Sequence, residues 1–200
     1  MRHYFSVHQI PGKEFFINFN FNSKKFKFLS SKGVFSKKKV DRGTIVLLKN
    51  LILSENSEIL DMGCGYGVIG IVIAKTHPSC KVTMVEINKR AVQLAKKNIK
   101  LNHVKNAKVI FGNLYEPIKG KKFDFIVCNP PISAGLDTCY KIIDGAKEFL
   151  NDGGKLEIVA REKKGGRRLK YRMFQIFGNC EIIAREKGYY VYLSKNFKSD

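Results

Sequence analysis

Between Glu58 and Gly70 the chain reads Glu-Ile-Leu-Asp-Met-Gly-Cys-Gly-Tyr-Gly-Val-Ile-Gly, and few architectures accommodate such a stretch. The apolar run ending in Asp61 predicts a short buried strand. The glycines after it, Gly63, Gly65 and Gly67, allow a tight turn into a helix opening at Val68. The result is a backbone cradle at a helix N-terminus. Gly65, Gly67 and Gly70 also satisfy the G-x-G-x-x-G pattern of dinucleotide sites, and Glu86 follows Gly65 by 21 residues, near the place of a ribose-binding acid.

From Glu58 onward strands and helices alternate. Strands are predicted at Glu58 to Asp61, Val82 to Glu86, Ala107 to Phe111, Phe123 to Cys128 and Leu156 to Ala160. Helices are predicted from Val68, over Lys89 to Asn102, and from about Asp137 to Leu150, the last closed by Asn151-Asp-Gly-Gly. Such alternation predicts an α/β fold with a doubly wound parallel sheet. Ligands of these sheets bind beyond the carboxyl ends of the strands, where Asp61, Glu86, Asn113 and Asn129 collect. A carboxylate at Asp61 repels a pyrophosphate but suits a ligand carrying an ammonium and a sulfonium. The cradle therefore predicts S-adenosylmethionine in preference to NAD. Glu86 is placed to accept both ribose hydroxyls. Asn113 is a candidate for the adenine amine, or a plain turn residue.

The predicted strand Phe123-Asp-Phe-Ile-Val-Cys runs directly into Asn129-Pro130-Pro131-Ile132, where two prolines fix the backbone. An exocyclic base amine has its lone pair delocalised into the ring and is a poor nucleophile until acceptors hold its hydrogens. The Asn129 side-chain oxygen and the Pro130 carbonyl are candidate acceptors that would pyramidalise the nitrogen, a positional and electrostatic form of catalysis.

The N-terminal part differs in character. Eight of the 15 phenylalanines fall in the first 35 residues, and Ile17, Phe19 and Phe21 alternate with Asn18, Asn20 and Asn22. Phe26 and Phe28 alternate with Lys25 and Lys27 after a turn at Asn22 to Lys24, which predicts a hairpin packed on the core with lysines in solvent. Thr44 is the expected cap of a helix running to about Leu53, with Ile45, Leu48, Leu51 and Ile52 on one side. Cys180 to Arg185 and Tyr189 to Ser194 predict a terminal hairpin that completes the sheet. No Pro- or Ser-rich linker divides the chain, so one domain is expected over 1–200, with an extension at 1–53 and the core at 54–200.

The 37 Lys+Arg against 17 Asp+Glu give a formal net charge of +20. That predicts a polyanionic partner, nucleic acid before an anionic membrane surface. The densest positive stretch, Arg161 to Arg172, holds seven basic residues in twelve positions. Arg161, Lys163, Lys164, Arg167 and Arg168 lie beyond a strand carboxyl end and are candidates for an RNA backbone. The five cysteines form no C-x-x-C pair and the four histidines lack ligand spacing, so reduced thiols and no metal are expected. No apolar run approaches the roughly 18 residues of a membrane span and the N-terminus lacks a signal-peptide core, which predicts a soluble, cytoplasmic protein.

Asp61-Met-Gly-Cys-Gly-Tyr-Gly, Glu86 and Asn129-Pro-Pro-Ile resemble the motifs of class I S-adenosylmethionine-dependent methyltransferases that act on planar amines. His3-Tyr-Phe-Ser, Gly33-Val-Phe-Ser-Lys, Asp41-Arg-Gly-Thr, Ile176-Phe-Gly-Asn and Gly188-Tyr-Tyr-Val extend the resemblance over nearly the whole chain. Together they resemble the catalytic domain of the small-subunit ribosomal RNA guanine-N2 methyltransferases and their single-domain archaeal relatives. The resemblance implies a seven-stranded sheet with an antiparallel last strand, and methylation of guanine N2 in a ribosomal RNA or small-subunit particle. Adenine N6, a protein glutamine, or RNA binding without turnover are the alternatives. Ile132 stands where the family usually has an aromatic that stacks on the target base, and Asn113 stands where an acid is often found. Phe35 is the candidate for the missing stack, ahead of Tyr66.

Overall fold

The computed structural model describes residues 13–31, 34, 39–132 and 135–197. The first two strands, β1 (Glu14–Phe21) and β2 (Lys24–Ser31), form a separate antiparallel hairpin. Its turn residues Asn22 and Ser23 take φ of 47° and 59°, the paired left-handed geometry that matches strand twist in a two-residue loop. Phe19 lies opposite Phe26 and Ile17 opposite Phe28, so the expected alternation places one apolar face against the core.

Parallel strands β3 (Glu58–Met62), β4 (Lys81–Glu86), β5 (Ala107–Phe111), β6 (Phe123–Cys128) and β7 (Leu150–Arg161) are joined by a terminal hairpin of β8 (Glu181–Glu186) and β9 (Tyr189–Lys195). The sheet order is β5-β4-β3-β6-β7-β9-β8. The last strand, β9, runs antiparallel to both β7 and β8, as expected, and lies one place in from the edge. Successive side chains of a strand point to opposite faces, so Ile59 joins the core beneath one layer of helices and Leu60 the other. The first layer holds α1 (Arg42–Asn50), α2 (Val68–Thr76) and α3 (Lys89–Leu101); the second holds α4 (Leu136–Phe149) and α5 (Arg167–Phe177).

Helix α2 is buried from Val68 through Ala74, because the hairpin covers the side that the sheet does not. Phe26 and Phe28 belong to the same apolar cluster as Ile71 and Ile73. Asn98 of α3 and Asn102 at its C-cap hold the hairpin by its backbone. Asn98 accepts from Leu29 N–H at 2.7 Å and donates to Leu29 C=O at 3.0 Å. Asn102 does the same with Lys27 at 3.1 and 2.8 Å. These amides serve as a surrogate strand, satisfying an edge that would otherwise expose unpaired groups.

Two expectations require correction. The cap of α1 is Asp41, whose extended ψ of 143° and carboxylate bond to Thr44 N–H begin the helix. That helix ends at Asn50, and its buried residues include Thr44, Val46, Leu47 and Leu48, whereas Ile52 is half exposed. Helix α4 closes at Phe149, and β7 begins at once with Leu150 opposite Phe123. Asn151 to Gly154 form a bulge inside that strand, between the Leu150 and Lys155 pairings. Their turn-like composition serves an irregularity of pairing instead of a helix stop.

Candidate active site

The strand order reverses between β3 and β6, and the crevice at such a switch point lies beyond the carboxyl ends of both strands. Gly63 and Gly65 follow β3 with φ of +70° and +57°, and a Cβ built on either would meet nothing within 4 Å. The loop therefore opens onto space that a ligand can approach to backbone distance. Gly70 has another role, since its Cβ would lie 2.5 Å from Met84; it lets α2 press against β4.

Asp61 is fully buried, and its Oδ2 accepts from Gly70 N–H at 2.9 Å. Its Oδ1 is buried without a hydrogen-bond partner. Burial pushes the carboxyl up to about 7 against the pull of the Gly70 amide, and repulsion from Glu86 adds to the rise. A cationic ligand beside Asp61 suits that orphaned oxygen. Glu86 is bonded to the backbone on both sides: Oε2 accepts from Gly65 N–H and Oε1 from Asn88 N–H, both at 2.8 Å. The carboxylate thus ties the cradle to the end of β4. Asn113 is exposed in the turn after β5, where its amide donates to Glu116 at 3.0 Å, leaving the side-chain carbonyl for an amine.

Asn129 follows β6 directly. Its Nδ2 donates to Asp41 Oδ2 and to Thr44 Oγ1, each at 3.0 Å. Both amide hydrogens are thereby engaged, which fixes the flip of the side chain and leaves Oδ1 as the acceptor. Gly43 leaves room for this arrangement, as its Cβ would crowd Asp41 Oδ2 at 2.9 Å and the Tyr189 ring at 3.0 Å. The Pro130 carbonyl accepts from Ile132 N–H at 2.9 Å, so one of its two lone pairs remains. In the sequence Asp41-Arg-Gly-Thr reads as a helix start and as part of the family resemblance, with no partner assigned to either polar side chain. Its role in holding Asn129, 88 and 85 residues away, carries no local signal beyond two polar residues at i and i+3.

Arg161 ends β7 with its guanidinium over the Tyr189 ring at 4.8 Å. Lys163 and Lys164 are exposed in the π-turn Glu162–Gly166, and Arg167 and Arg168 in the first turn of α5. Arg167 pairs with Glu162. The same turn packs against the Asn-Pro-Pro-Ile segment, for a Cβ on Gly165 would lie 2.9 Å from Ile132 Cγ2. The basic stretch and the amide clamp thus share one rim. Phe35, together with Lys37 and Lys38, lies outside the described residues. Tyr66 is buried, with its ring edge against Phe28, and its carbonyl accepts from Asn98 at 2.8 Å. That position serves the cradle rather than a stack on a base.

A seven-stranded, doubly wound sheet with its penultimate position filled by an antiparallel strand, a glycine cradle after the first core strand and an Asn-Pro-Pro turn after the fourth defines a class I methyltransferase. The chain belongs to the methyltransferase small domain family, whose model matches residues 25–193. YbxB of Bacillus subtilis is 34% identical over 180 residues, covering 89% of this chain and 90% of that protein. Ribosomal RNA small subunit methyltransferase C of Haemophilus influenzae is 38% identical over 168 residues, covering 82% of this chain but 49% of that protein. The chain thus spans about half the length of that relative. Among solved structures, the T. thermophilus 16S rRNA N2 methyltransferase, in complex with AdoMet and guanosine, superposes with a TM-score of 0.85 at 24% identity over 94% of this chain and 52% of that one.

Proposed function

We propose that the protein is an S-adenosylmethionine-dependent methyltransferase acting on an exocyclic amine of an RNA base, guanine N2 of small-subunit ribosomal RNA. The observation that carries the reading is the Asn129 amide, held by Asp41 and Thr44 so that only its carbonyl oxygen faces a substrate. Asn129 Oδ1 and the remaining lone pair of the Pro130 carbonyl accept the two amine hydrogens. Drawing both N–H bonds to one side turns the nitrogen lone pair toward the opposite side, and this preorganised polarity is the catalytic term. When bound, S-adenosylmethionine supplies the methyl: the carbon–nitrogen bond forms as the carbon–sulfur bond breaks, a neutral thioether leaves, and the surplus amine proton passes to water.

In this reading Gly63, Gly65 and Gly67 shape the cradle, with Asp61 providing negative charge. Glu86 receives the ribose hydroxyls and Asn113 the adenine amine. Arg161, Lys163, Lys164, Arg167 and Arg168 receive phosphates on the rim. Guanine is favoured over adenine because the T. thermophilus enzyme, whose fold matches 94% of this chain, is an N2 methyltransferase held in complex with guanosine. Among the described residues no helix is long and apolar enough to cross a membrane.

The test is transfer of labelled methyl to unmodified small-subunit ribosomal RNA, followed by nucleoside identification. N2-methylguanosine is expected. N6-methyladenosine would move the assignment to adenine, and label in protein glutamine would remove RNA as the substrate. Cofactor and RNA binding without transfer would leave a non-catalytic RNA-binding protein.

A further inference from the structure

Helix α5 buries Leu169, Met173 and Phe177 along one side. The opposite side carries Arg167, Tyr171 and Phe174 at i, i+4 and i+7, so they form one stripe. Tyr171 is 65% and Phe174 56% exposed, where the solvent face of a surface helix is ordinarily polar. Two large rings so exposed, Tyr171 at the middle of that face and Phe174 on its flank, are not explained by the core.

The surroundings indicate what covers them. Lys163, Lys164, Arg168 and Lys170 are exposed, and none is in an ion pair among the described residues. Arg172, in contrast, is spent on Asp144 through two bonds of 2.7 Å and lies over the Tyr140 ring, which anchors α5 to α4. The unpaired cations on one rim of a chain of net charge +20 complement a polyanion and would oppose a second copy of the same surface. The stripe is also continuous with the site. It begins at Arg167, directly after the turn that touches Ile132, and runs away from the rim, with Tyr171 about 6 Å and Phe174 about 10 Å further along the helix axis.

We propose that Tyr171 and Phe174 form a stacking platform for unpaired bases of the RNA strand that flanks the methylated nucleotide, while the neighbouring lysines and arginines hold its phosphates. Aromatic faces accept any base, whereas a duplex keeps its bases stacked on one another and offers them no free face. The platform therefore selects single-stranded RNA around the target. It rests on the RNA methyltransferase reading and adds the form of RNA that is recognised.

The test compares wild-type protein with Tyr171→Leu/Phe174→Leu and with Tyr171→Phe. The probes are a mixed-sequence single-stranded RNA carrying 2-aminopurine and the corresponding duplex. Both leucine positions are exposed, and unchanged melting temperature and calorimetric affinity for S-adenosylmethionine verify the fold. The leucine variant should weaken single-strand binding by about 10-fold or more and abolish the stacking quench of 2-aminopurine. Duplex binding should be unchanged, and Tyr171→Phe should behave as wild type. Equal loss on both RNAs, or no loss on either, overturns the platform while leaving the methyltransferase reading in place. A wild-type dimer that the leucine variant dissociates would overturn it in favour of self-association. Wild-type protein that binds S-adenosylmethionine but neither RNA would overturn the RNA substrate itself, and the platform with it.

Discussion

The two walls of the crevice are built on opposite plans. On the wall formed by β3 and β4, Asp61 and Glu86 are buried and bonded to Gly70, Gly65 and Asn88 amides, so the backbone is shaped before any ligand arrives. On the wall formed by β7 and α5, Lys163, Lys164, Arg167 and Arg168 extend into solvent on long side chains. A small ligand that must present one methyl in one orientation gains from the first plan, because little ordering remains to be done on binding. A polyanion gains from the second, since attraction to phosphates needs charge more than fixed geometry. Asn129 stands between the walls. It is as firmly held as the first wall, yet by residues of α1, which belongs to neither.

The largest expected effect comes from disrupting the preshaped wall. Gly65 has φ of +57° with open space above it, so Gly65→Val strains the backbone and fills the cavity at once. Calorimetry should show S-adenosylmethionine affinity lowered by about 100-fold or more, with RNA affinity retained. If the variant binds the cofactor normally, the open space above Gly65 is not the ligand's place. Next in size is Asn129→Ala, which should reduce methyl transfer by about 100-fold while both ligands still bind. Full turnover in that variant would remove the clamp from the mechanism.

How far these walls were legible in the sequence depended on whether a residue's role was local. Buried parallel strands leave short apolar runs, so Asp61, Glu86 and Asn129 were placed at strand ends correctly, and the hairpin followed from its alternation. What failed was assignment of partners. Thr44 reads as a cap because its composition fits one, but its hydroxyl is directed at Asn129; a tertiary bond leaves no mark on the local pattern. The same holds for Asn98 inside α3 and Asn102 at its C-cap, whose amides hold a strand from another part of the chain. The Asn-Asp-Gly-Gly bulge reads as a helix stop in the sequence, since β7 begins through pairing with Phe123, which no propensity reports. In α5 the signal is local: the helical period alone places Tyr171 opposite Leu169 and Met173.

A smaller effect tests whether Asn129 is preorganised in the same sense as the cradle. Thr44→Val is nearly isosteric and removes one of the two acceptors that fix the amide, while Asp41 continues to cap α1. The rate constant kcat should fall by about tenfold with KM for RNA unchanged, since one neutral hydrogen bond to a partly buried amide is involved. Thr44→Ser, which keeps the hydroxyl, should restore it. A parallel loss in melting temperature and rate in both variants would mean that Thr44 supports packing and not the clamp.

The smallest effect separates the walls by the variable that perturbs each. Salt should weaken RNA binding through the exposed cations and leave the cofactor largely untouched, because buried interactions are poorly screened. Proton concentration should do the reverse through Asp61, whose burial raises its carboxyl to about 7. An acid with a raised folded pKa is protonated in the folded chain where the unfolded chain has already ionised. Folding stability therefore falls as pH rises from about 4 toward 7 and levels off above. A cationic ligand stabilises the carboxylate, so its binding below 7 must release that proton. Affinity should accordingly climb, by at most about tenfold, between about pH 6 and 7.5, with proton release detectable at the lower value in buffers of different ionisation enthalpy. Asp61→Asn should flatten the profile. Glu157 provides the control, since burial raises it to about 7 as well, but its Oε1 is turned to Ile52 N–H of the segment after α1. Glu157→Gln should alter the pH dependence of stability and not that of cofactor binding. If the binding profile survives Asp61→Asn and disappears in Glu157→Gln, the negative charge that recognises the ligand is not in the cradle, and the contrast between the walls fails at its electrostatic foundation.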